Sequence, residues 1–364
     1  MRVLMTTDTV GGVWTFTQEL SLGLLERGTR VYLVSLGRVP SPSQQNWLDD
    51  VRKEWGMHFS CEACDVALEW MEENARAYDA APRLRQIACE WGADIVHSNQ
   101  FCFGALPLEI PKLITAHSDV FSWAECCRGG FLEDSAWLRR YRALVTAGLI
   151  GTESIVCPTA WLAERLARNF SIGGEQSVIP NGRSIIPEKQ ESRLQAVTAG
   201  RVWDEAKNVG ILCDVRSPIP ILVAGEKEWG STTPAPLPEE MLLGPLSEPD
   251  LLRLFGQSQI YICTSRYEPF GLAPLEAALC GCAVIASDIP SLREVWEDGA
   301  LYFNGVETLS ALLCWLHDNP QELRAAQRRS LSRARQFSGQ RMTHSYLELY
   351  RMVLAKAEST TYAA

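Results

Sequence analysis

Residues 265–277 read SRYEPFGLAPLEA and directly follow the apolar run 260–264. The run predicts a buried strand, and the residues from about 273 onward predict a helix. The glycine between them lets a ligand approach the backbone, and the N–H groups of the first helical turn can face a phosphate. Glu268 and Glu276 flank this turn, where carboxylates can accept hydrogen bonds from sugar hydroxyls. The stretch therefore indicates one βα unit of a parallel sheet with a polar ligand at its end.

The same alternation of short apolar runs and helical patterns extends along the 364 residues. It predicts a parallel α/β protein with two domains, because the chain is long and a polar stretch interrupts the pattern. We expect the domains at residues 1–188 and 189–342, with a C-terminal helix at about 343–364 that either caps the second domain or crosses back to the first. The expected strands lie at 2–7, 30–35, 94–98, 112–117, 154–158, 195–200, 220–225, 260–264 and 283–288.

The composition excludes several classes of function. The formal net charge is -10, so the chain repels nucleic acid, and we expect no nucleic-acid partner. Apolar runs are too short to span a membrane, and nothing indicates peripheral membrane contact, although the sequence leaves it open. The twelve cysteines are scattered and no signal-peptide pattern is present, so we expect reduced thiols and a cytoplasmic protein.

Two further turns carry residues suited to an anionic ligand. Arg201 and Lys207 follow the expected strand 195–200, at the end of a parallel strand where open α/β sheets bind ligands. Together they can neutralise a diphosphate, because Arg supplies a bidentate fork and Lys a point charge. Near the N-terminus, Gly11 and Gly12 lie between a strand and a helix, which leaves the helix N-terminus open to an anion.

The order of these motifs resembles glycosyltransferase family 4, whose members are retaining enzymes. The resemblance implies an α/β protein of GT-B fold, with two Rossmann-like α/β/α domains facing each other across a cleft. It covers nearly the full length and is carried by Gly11-Gly12, Gly200-Arg201 with Lys207-Asn208, Glu268 and Glu276, and the segments 180–182 (PNG), 223–225 (VAG) and 243–246 (LGPL).

The resemblance also implies roles for the cations and carboxylates. Arg201 and Lys207 would hold the donor diphosphate and stabilise the leaving nucleoside diphosphate. Glu276 would bind the ribose hydroxyls, and Glu268 would bind a hydroxyl of the donor sugar.

Backbone groups complete the implied donor site. The N–H groups of Phe270, Gly271 and Leu272 would contact sugar and phosphate, and the loop with Gly244 and Leu246 would meet the base.

The N-terminal domain would contribute from the opposite side. Gly11 and Gly12 would close over the phosphates. His117, at the end of the expected strand 112–117, would lie near the reacting sugar on the acceptor side, and His97 is a weaker candidate for acceptor contact.

The expected reaction transfers a hexosyl group from a nucleotide sugar to a hydroxyl of a saccharide, lipid-linked or small-molecule acceptor by front-face displacement. A UDP-hexose, UDP-glucose first, is the favoured donor, and GDP-mannose is second. We expect no cofactor and no metal requirement, because the sequence shows no Asp-x-Asp pair and two cations can do the electrostatic work of a metal.

Two alternatives stay open from the sequence. A GT-B epimerase would act on the nucleotide sugar itself and would need acid and base groups without an acceptor. A non-catalytic nucleotide-sugar-binding partner protein would have less need of the sugar-orienting Glu268. A phosphorylase is excluded by the length and by the lack of a lysine suitably placed for a pyridoxal cofactor.

Overall fold

The chain forms two units of α/β structure. The computed structural model describes residues 1–174, 176–188, 190–227 and 237–363. One unit comprises Met1–Gly182 together with Gly339–Ala364, and the other comprises Arg183–Ser338. Residue 189, at which we expected the second domain to begin, lies outside the described residues.

The elements follow one another as alternating strands and helices. The first unit contains β1 (Arg2–Asp8), α1 (Gly12–Glu26), β2 (Arg30–Leu36), α2 (Pro42–Trp55), β3 (Phe59–Cys64), α3 (Ala81–Trp91), β4 (Ile95–Ser98), β5 (Lys112–Thr115), α4 (Val120–Arg128), α5 (Ala136–Ile150), β6 (Ser154–Cys157), α6 (Ala160–Phe170) and β7 (Ser177–Val178). The second contains β8 (Arg193–Ala199), β9 (Ile221–Ala224), β10 (Leu242–Gly244), α7 (Glu248–Gly256), β11 (Ser258–Cys263), α8 (Leu272–Leu279), β12 (Ala283–Ser287), α9 (Pro290–Trp296), β13 (Ala300–Phe303), α10 (Val306–Asp318) and α11 (Pro320–Ala334). The chain then returns to the first unit with α12 (Gly339–Ala363).

Both sheets are parallel and doubly wound. The strand order is β3-β2-β1-β4-β5-β6-β7 in the first sheet and β10-β9-β8-β11-β12-β13 in the second. In each sheet the direction of winding reverses once, between β1 and β4 and between β8 and β11. Open α/β sheets bind ligands at such a reversal, beyond the carboxyl ends of the strands.

Every strand expected from an apolar run is present, within two residues of its predicted bounds. The four strands that the sequence did not reveal are β3, β7, β10 and β13, and each lies at an edge of its sheet. A central parallel strand is buried on both faces and therefore has a continuous run of apolar residues. An edge strand is less buried, so its sequence need not contain such a run. In β3, for example, only Phe59 is fully buried.

The C-terminal helix packs into the core of the first unit through an apolar and aromatic stripe. Tyr350 also contacts His97 of β4, with 2.6 Å between the phenol oxygen and Nδ1. The other ring nitrogen, Nε2, lies 2.7 Å from Oγ1 of Thr115, which in turn lies 2.9 Å from the hydroxyl of Tyr346. This buried network attaches α12 to β4 and β5.

The expected acceptor contact of His97 is wrong. Its side chain is fully buried, and both ring nitrogens are used within the core. Burial, and next the nearby His117, lowers the pKa of His97 to about 3, so the ring is neutral. His97 therefore serves the attachment of the last helix.

Replacing Tyr350 by Phe tests that attachment. The change leaves the buried Nδ1 of His97 without a hydrogen-bond partner, and we expect a loss of about 1–3 kcal/mol in the free energy of unfolding. Urea denaturation measures it. Tyr32→Phe is the matched control, because the Tyr32 hydroxyl lies 3.1 Å from Glu62 in a part-buried pair. Equal stability losses in the two variants would contradict a special role for the buried network.

Candidate active site

The carboxyl ends of β8 and β9 approach each other at two glycines. Gly200 and Gly225 have φ values of 146° and 142°, in the region that favours glycine. A Cβ atom added to Gly225 would collide with the carbonyl oxygen of Gly200. Because no side chain fits here, the two loops leave the sheet in close contact, and the loop after β8 starts at a fixed position.

Arg201, the next residue, is held by Asp204. Its Nε and Nη2 atoms lie 3.0 and 2.7 Å from Oδ2 of Asp204, and Oδ1 of the same carboxylate accepts the backbone N–H of Ala206 at 2.9 Å. The side chain of Arg201 is 40% exposed. The guanidinium is thus oriented by the turn and still accessible to a ligand.

The loops that follow β8 and β11 are joined by backbone contacts. The N–H of Arg266 donates to the carbonyl of Ala206 at 2.8 Å, and the hydroxyl of Thr264 donates to the carbonyl of Lys207 at 2.6 Å. The strands β8 and β11 flank the reversal of the second sheet. The expected cationic loop and the expected acidic loop therefore form one edge of the site.

An ion pair connects the side chains of these two loops. The ammonium group of Lys207 contacts Oε2 of Glu268, which also accepts a hydrogen bond from the Ser265 hydroxyl at 3.1 Å. The two side chains are only 21% and 12% exposed. A cation suited to phosphate and a carboxylate suited to a sugar hydroxyl thus lie in direct contact.

Glu276 lies on α8 and is paired with an arginine that the sequence analysis did not identify. Nε of Arg183 lies 2.8 Å from Oε1 of Glu276, and Nη2 of the same guanidinium contacts Glu248. Arg183 and Glu276 are both buried. Arg183 directly follows the PNG segment at 180–182, and this motif could have marked it as a candidate site residue. No pattern in the sequence indicates that it pairs with Glu276, which is 93 positions away.

The N-terminus of α8 provides backbone donors beside Glu268. Gly271 precedes the helix with φ 91°, and a Cβ atom there would lie 2.9 Å from Cγ of Pro274 and 3.2 Å from Cγ of Glu268. No side chain caps this helix, so the N–H groups of its first turn, beginning with Leu272, are suited to a ligand. The Phe270 ring is buried against Phe337, which leaves only its backbone for such a contact.

Gly244 is the last residue of β10, and Leu246 lies two residues beyond it. The carbonyl of Gly244 accepts the N–H of Gly225 at 2.8 Å, which brings this loop to the same edge of the sheet. Leu246 is 37% exposed, as a residue that contacts a base would be. Every expected donor-binding residue of the second unit thus lies at the end of β10 or in the segments that follow β8, β10 and β11.

The expected residues of the first unit lie at the carboxyl edge of the first sheet. Gly11 has φ 71° and precedes α1, Gly12 is the first residue of that helix, and both are exposed. His117 follows β5 by two residues, and its ring is half-buried against Phe16, with 4.7 Å between the ring centroids. Burial lowers the pKa of His117 to about 3, so this ring is neutral as well.

The part of the chain that the structure describes contains no group of three or more His, Cys, Asp or Glu residues arranged to hold a metal ion. Among the same residues, no helix is both long and apolar enough to cross a membrane.

Two family models match this chain. Residues 10–185 match Glycosyltransferase Family 4, and residues 237–333 match Glycosyl transferases group 1. Together they cover most of the chain and both of its units. The protein belongs to these glycosyltransferases of GT-B fold, and the predicted fold class is confirmed.

Curated relatives are similar over part of their length. O-antigen chain mannosyltransferase B of Escherichia coli is 29% identical in an alignment 149 positions long that covers 38% of this chain and 39% of the relative. Alpha-maltose-1-phosphate synthase of Mycobacterium tuberculosis is 25% identical in an alignment 249 positions long that covers 57% of this chain and 62% of the relative. The chain thus spans less than two thirds of either protein.

Solved structures are similar over nearly the whole chain. Sucrose-phosphate synthase from Thermosynechococcus elongatus has a TM-score of 0.77 at 17% identity and covers 98% of this chain and 100% of its own. Anabaena HepE in complex with UDP has a TM-score of 0.70 at 15% identity and covers 97% of this chain and 100% of its own. At such low identity the likeness shows the fold alone.

Replacing Arg183 by Met tests the buried ion pair. The change removes the guanidinium from a buried carboxylate, and we expect the free energy of unfolding of the second unit to fall by about 3 kcal/mol. Chemical denaturation measures the change. Arg253→Met is the matched control, because its pair with Asp250 is about half exposed and should contribute less than about 1 kcal/mol.

Adding Glu276→Gln to Arg183→Met should recover part of the lost stability, because the uncompensated charge is removed. A double variant as unstable as the single one would show that Arg183 stabilises the fold by packing alone.

Proposed function

We propose that this glycosyltransferase moves a hexosyl group from a nucleotide sugar to a hydroxyl of a saccharide, lipid-linked or small-molecule acceptor and retains the anomeric configuration. The observation that carries the proposal is the contact between Lys207 and Glu268 at the reversal of the second sheet. It combines a diphosphate-binding cation with a sugar-binding carboxylate, with Arg201 on the same loop.

The ion pair indicates how the donor binds. A diphosphate offers several anionic oxygens to the Lys207 ammonium and can replace Glu268 as its partner. The released carboxylate can then accept a hydrogen bond from a hydroxyl of the donor sugar. Binding of the whole nucleotide sugar therefore exchanges one ion pair for two favourable contacts, whereas a free sugar offers no replacement for the lost partner of Lys207.

Leaving-group stabilisation is the main catalytic effect in this proposal. When the bond between the anomeric carbon and the diphosphate oxygen breaks, negative charge grows on the diphosphate, where Arg201 and Lys207 stabilise it. The acceptor hydroxyl attacks on the face from which the diphosphate departs and gives its proton to a diphosphate oxygen. Glu268 orients the sugar and does not act as a nucleophile.

We also propose that the transfer needs no metal ion. Two cationic side chains, Arg201 and Lys207, are available to the leaving group, and Asp204 orients Arg201. Their charge can compensate the diphosphate without a bridging divalent ion.

The favoured donor is a UDP-hexose, UDP-glucose first. HepE, of similar fold, was solved with UDP, which supports the uridine base. The similarity to an Escherichia coli mannosyltransferase keeps GDP-mannose as the second donor.

A donor-binding screen tests the base and the metal together. UDP, GDP, ADP and their hexoses are added to the purified protein with and without EDTA, and thermal unfolding is recorded. A ligand at 100 times its Kd stabilises the folded state by about 2.7 kcal/mol. We expect a shift with uridine nucleotides that EDTA does not reduce.

The same screen on two arginine variants locates the site. Arg201→Ala should abolish the shift, whereas Arg253→Ala should keep it, because Arg253 forms the same type of ion pair with a residue three positions away but lies on α7. Absence of a shift with every nucleotide would contradict the donor site.

Substitutions at Lys207 and Glu268 should change the affinity for the donor in different ways. Lys207→Ala removes a phosphate contact, so we expect the Kd of UDP itself to rise at least tenfold. Glu268→Gln frees the ammonium, so UDP should bind as well as before or more tightly, while the extra affinity of UDP-hexose over UDP falls. Isothermal titration with the two ligands measures both effects.

Lys112→Ala is the control for losing a lysine that pairs with a carboxylate, since Lys112 contacts Glu153 at 3.5 Å in the first unit. It should leave both affinities unchanged. Equal weakening of UDP binding in Lys207→Ala and Glu268→Gln would contradict the division of roles.

A further inference from the structure

Two contacts of Nδ2 fix the orientation of the Asn99 side chain. Nδ2 donates to the backbone carbonyl of Thr6 at 2.7 Å and lies 3.3 Å from Oγ1 of Thr17. The single proton of the Thr17 hydroxyl goes to the carbonyl of Val13 at 2.8 Å or to the hydroxyl of Thr7 at 2.9 Å, so in either case Oγ1 is an acceptor toward Asn99. A carbonyl oxygen can only accept, and therefore the nitrogen of the Asn99 amide must face Thr6.

This orientation determines which nitrogen of His117 carries the proton. Oδ1 of Asn99, the remaining atom of the amide, lies 2.8 Å from Nε2 of His117. An amide oxygen has no proton to donate, so Nε2 must be the donor. Because the ring is neutral, its other nitrogen, Nδ1, is then unprotonated.

The surroundings suit Nδ1 to a substrate contact. The ring is half-buried, and Phe16 packs edge-on against it, which restricts its rotation. Nδ1 has no hydrogen-bond partner among the described residues. A neutral, acceptor-only nitrogen binds a hydroxyl but not a phosphate or a carboxylate, since neither offers it a proton at neutral pH.

We propose that Asn99 is a positioning residue that holds His117 as the Nε2–H tautomer, so that Nδ1 accepts a hydrogen bond from a hydroxyl of a sugar substrate. The substrate part of this inference rests on the proposed glycosyl transfer. The tautomer part rests on the contacts of Asn99 and on the burial that keeps the ring neutral. A ring protonated on Nδ1 would instead present a donor at the same place and would favour an anionic partner.

Nitrogen NMR of the protein with ¹⁵N-labelled histidine tests the tautomer directly. The chain has five histidines, and His117→Gln identifies the signals of His117 by their loss. At pH 7 we expect a pyrrole-like Nε2 and a pyridine-like Nδ1. The opposite pattern, or a doubly protonated ring, would overturn the assignment.

Asn99→Ala tests whether Asn99 is the cause. Without the amide oxygen the two tautomers should exchange, and the two nitrogen shifts of His117 should move toward each other. Unchanged shifts in a folded variant would show that another group selects the tautomer. If the variant does not fold, the wild-type spectrum still decides which tautomer is present.

Two isosteric variants of His117 test the substrate contact. The Asn amide overlays the Nδ1 side of histidine and can keep the acceptor, whereas the Gln amide overlays Nε2 and keeps only the contact with Asn99. We expect kcat/KM for transfer to fall about tenfold or more in His117→Gln and clearly less in His117→Asn. His317→Gln, an exposed change on α10, is the control that should leave transfer unchanged.

The two proposals can fail separately. If the wild type transfers sugar and His117→Gln transfers it equally well, the hydroxyl contact is overturned, whereas the proposed glycosyl transfer still stands. If the wild type transfers no sugar from any donor, the proposed function fails, and the NMR spectra still support or overturn the role of Asn99.

Discussion

The arrangement of the candidate site follows from one constraint on the backbone. Strands in a parallel sheet end at the same edge, and the single reversal of strand order leaves room there between two loops. In the second unit the reversal lies between β8 and β11, and the loops after them carry Lys207 and Glu268. In the first unit the equivalent reversal lies between β1 and β4, and Asn99 directly follows β4. At the two reversals one topology thus positions different contacts, the Lys207–Glu268 ion pair in the second unit and the Asn99–His117 hydrogen bond in the first.

The two central carboxylates of the second unit are paired with cations. Glu268 contacts Lys207, and Glu276 contacts Arg183. Moving a charge out of water costs several kcal/mol, and a partner of opposite charge offsets part of that cost. Each pair offsets part of the cost of burying its two charges, and a ligand that contacts either group must replace its partner.

The sequence predicted the central strands and the residues that follow them, because buried parallel strands have continuous apolar runs. It did not predict the edge strands, such as β13, which are covered on fewer sides. The sequence also did not predict which groups each side chain contacts. His97 and His117 both stand near strand ends, yet His97 lies inside β4 with its ring in the core, whereas His117 lies two residues beyond β5. A shift of one residue along a strand turns a side chain to the other face, and boundaries read from a sequence are not that precise.

The return of α12 to the first unit has a consequence for biosynthesis. A ribosome makes the chain from its N-terminal side, so the first sheet emerges long before the helix that covers part of it. Until α12 arrives, Phe16 lacks its contact with Tyr346, and the whole second unit must be translated in between. The second unit is continuous in sequence and can fold as soon as it is complete. Translation order therefore favours completion of the second unit first, while part of the apolar core of the first unit still lacks the helix that completes it.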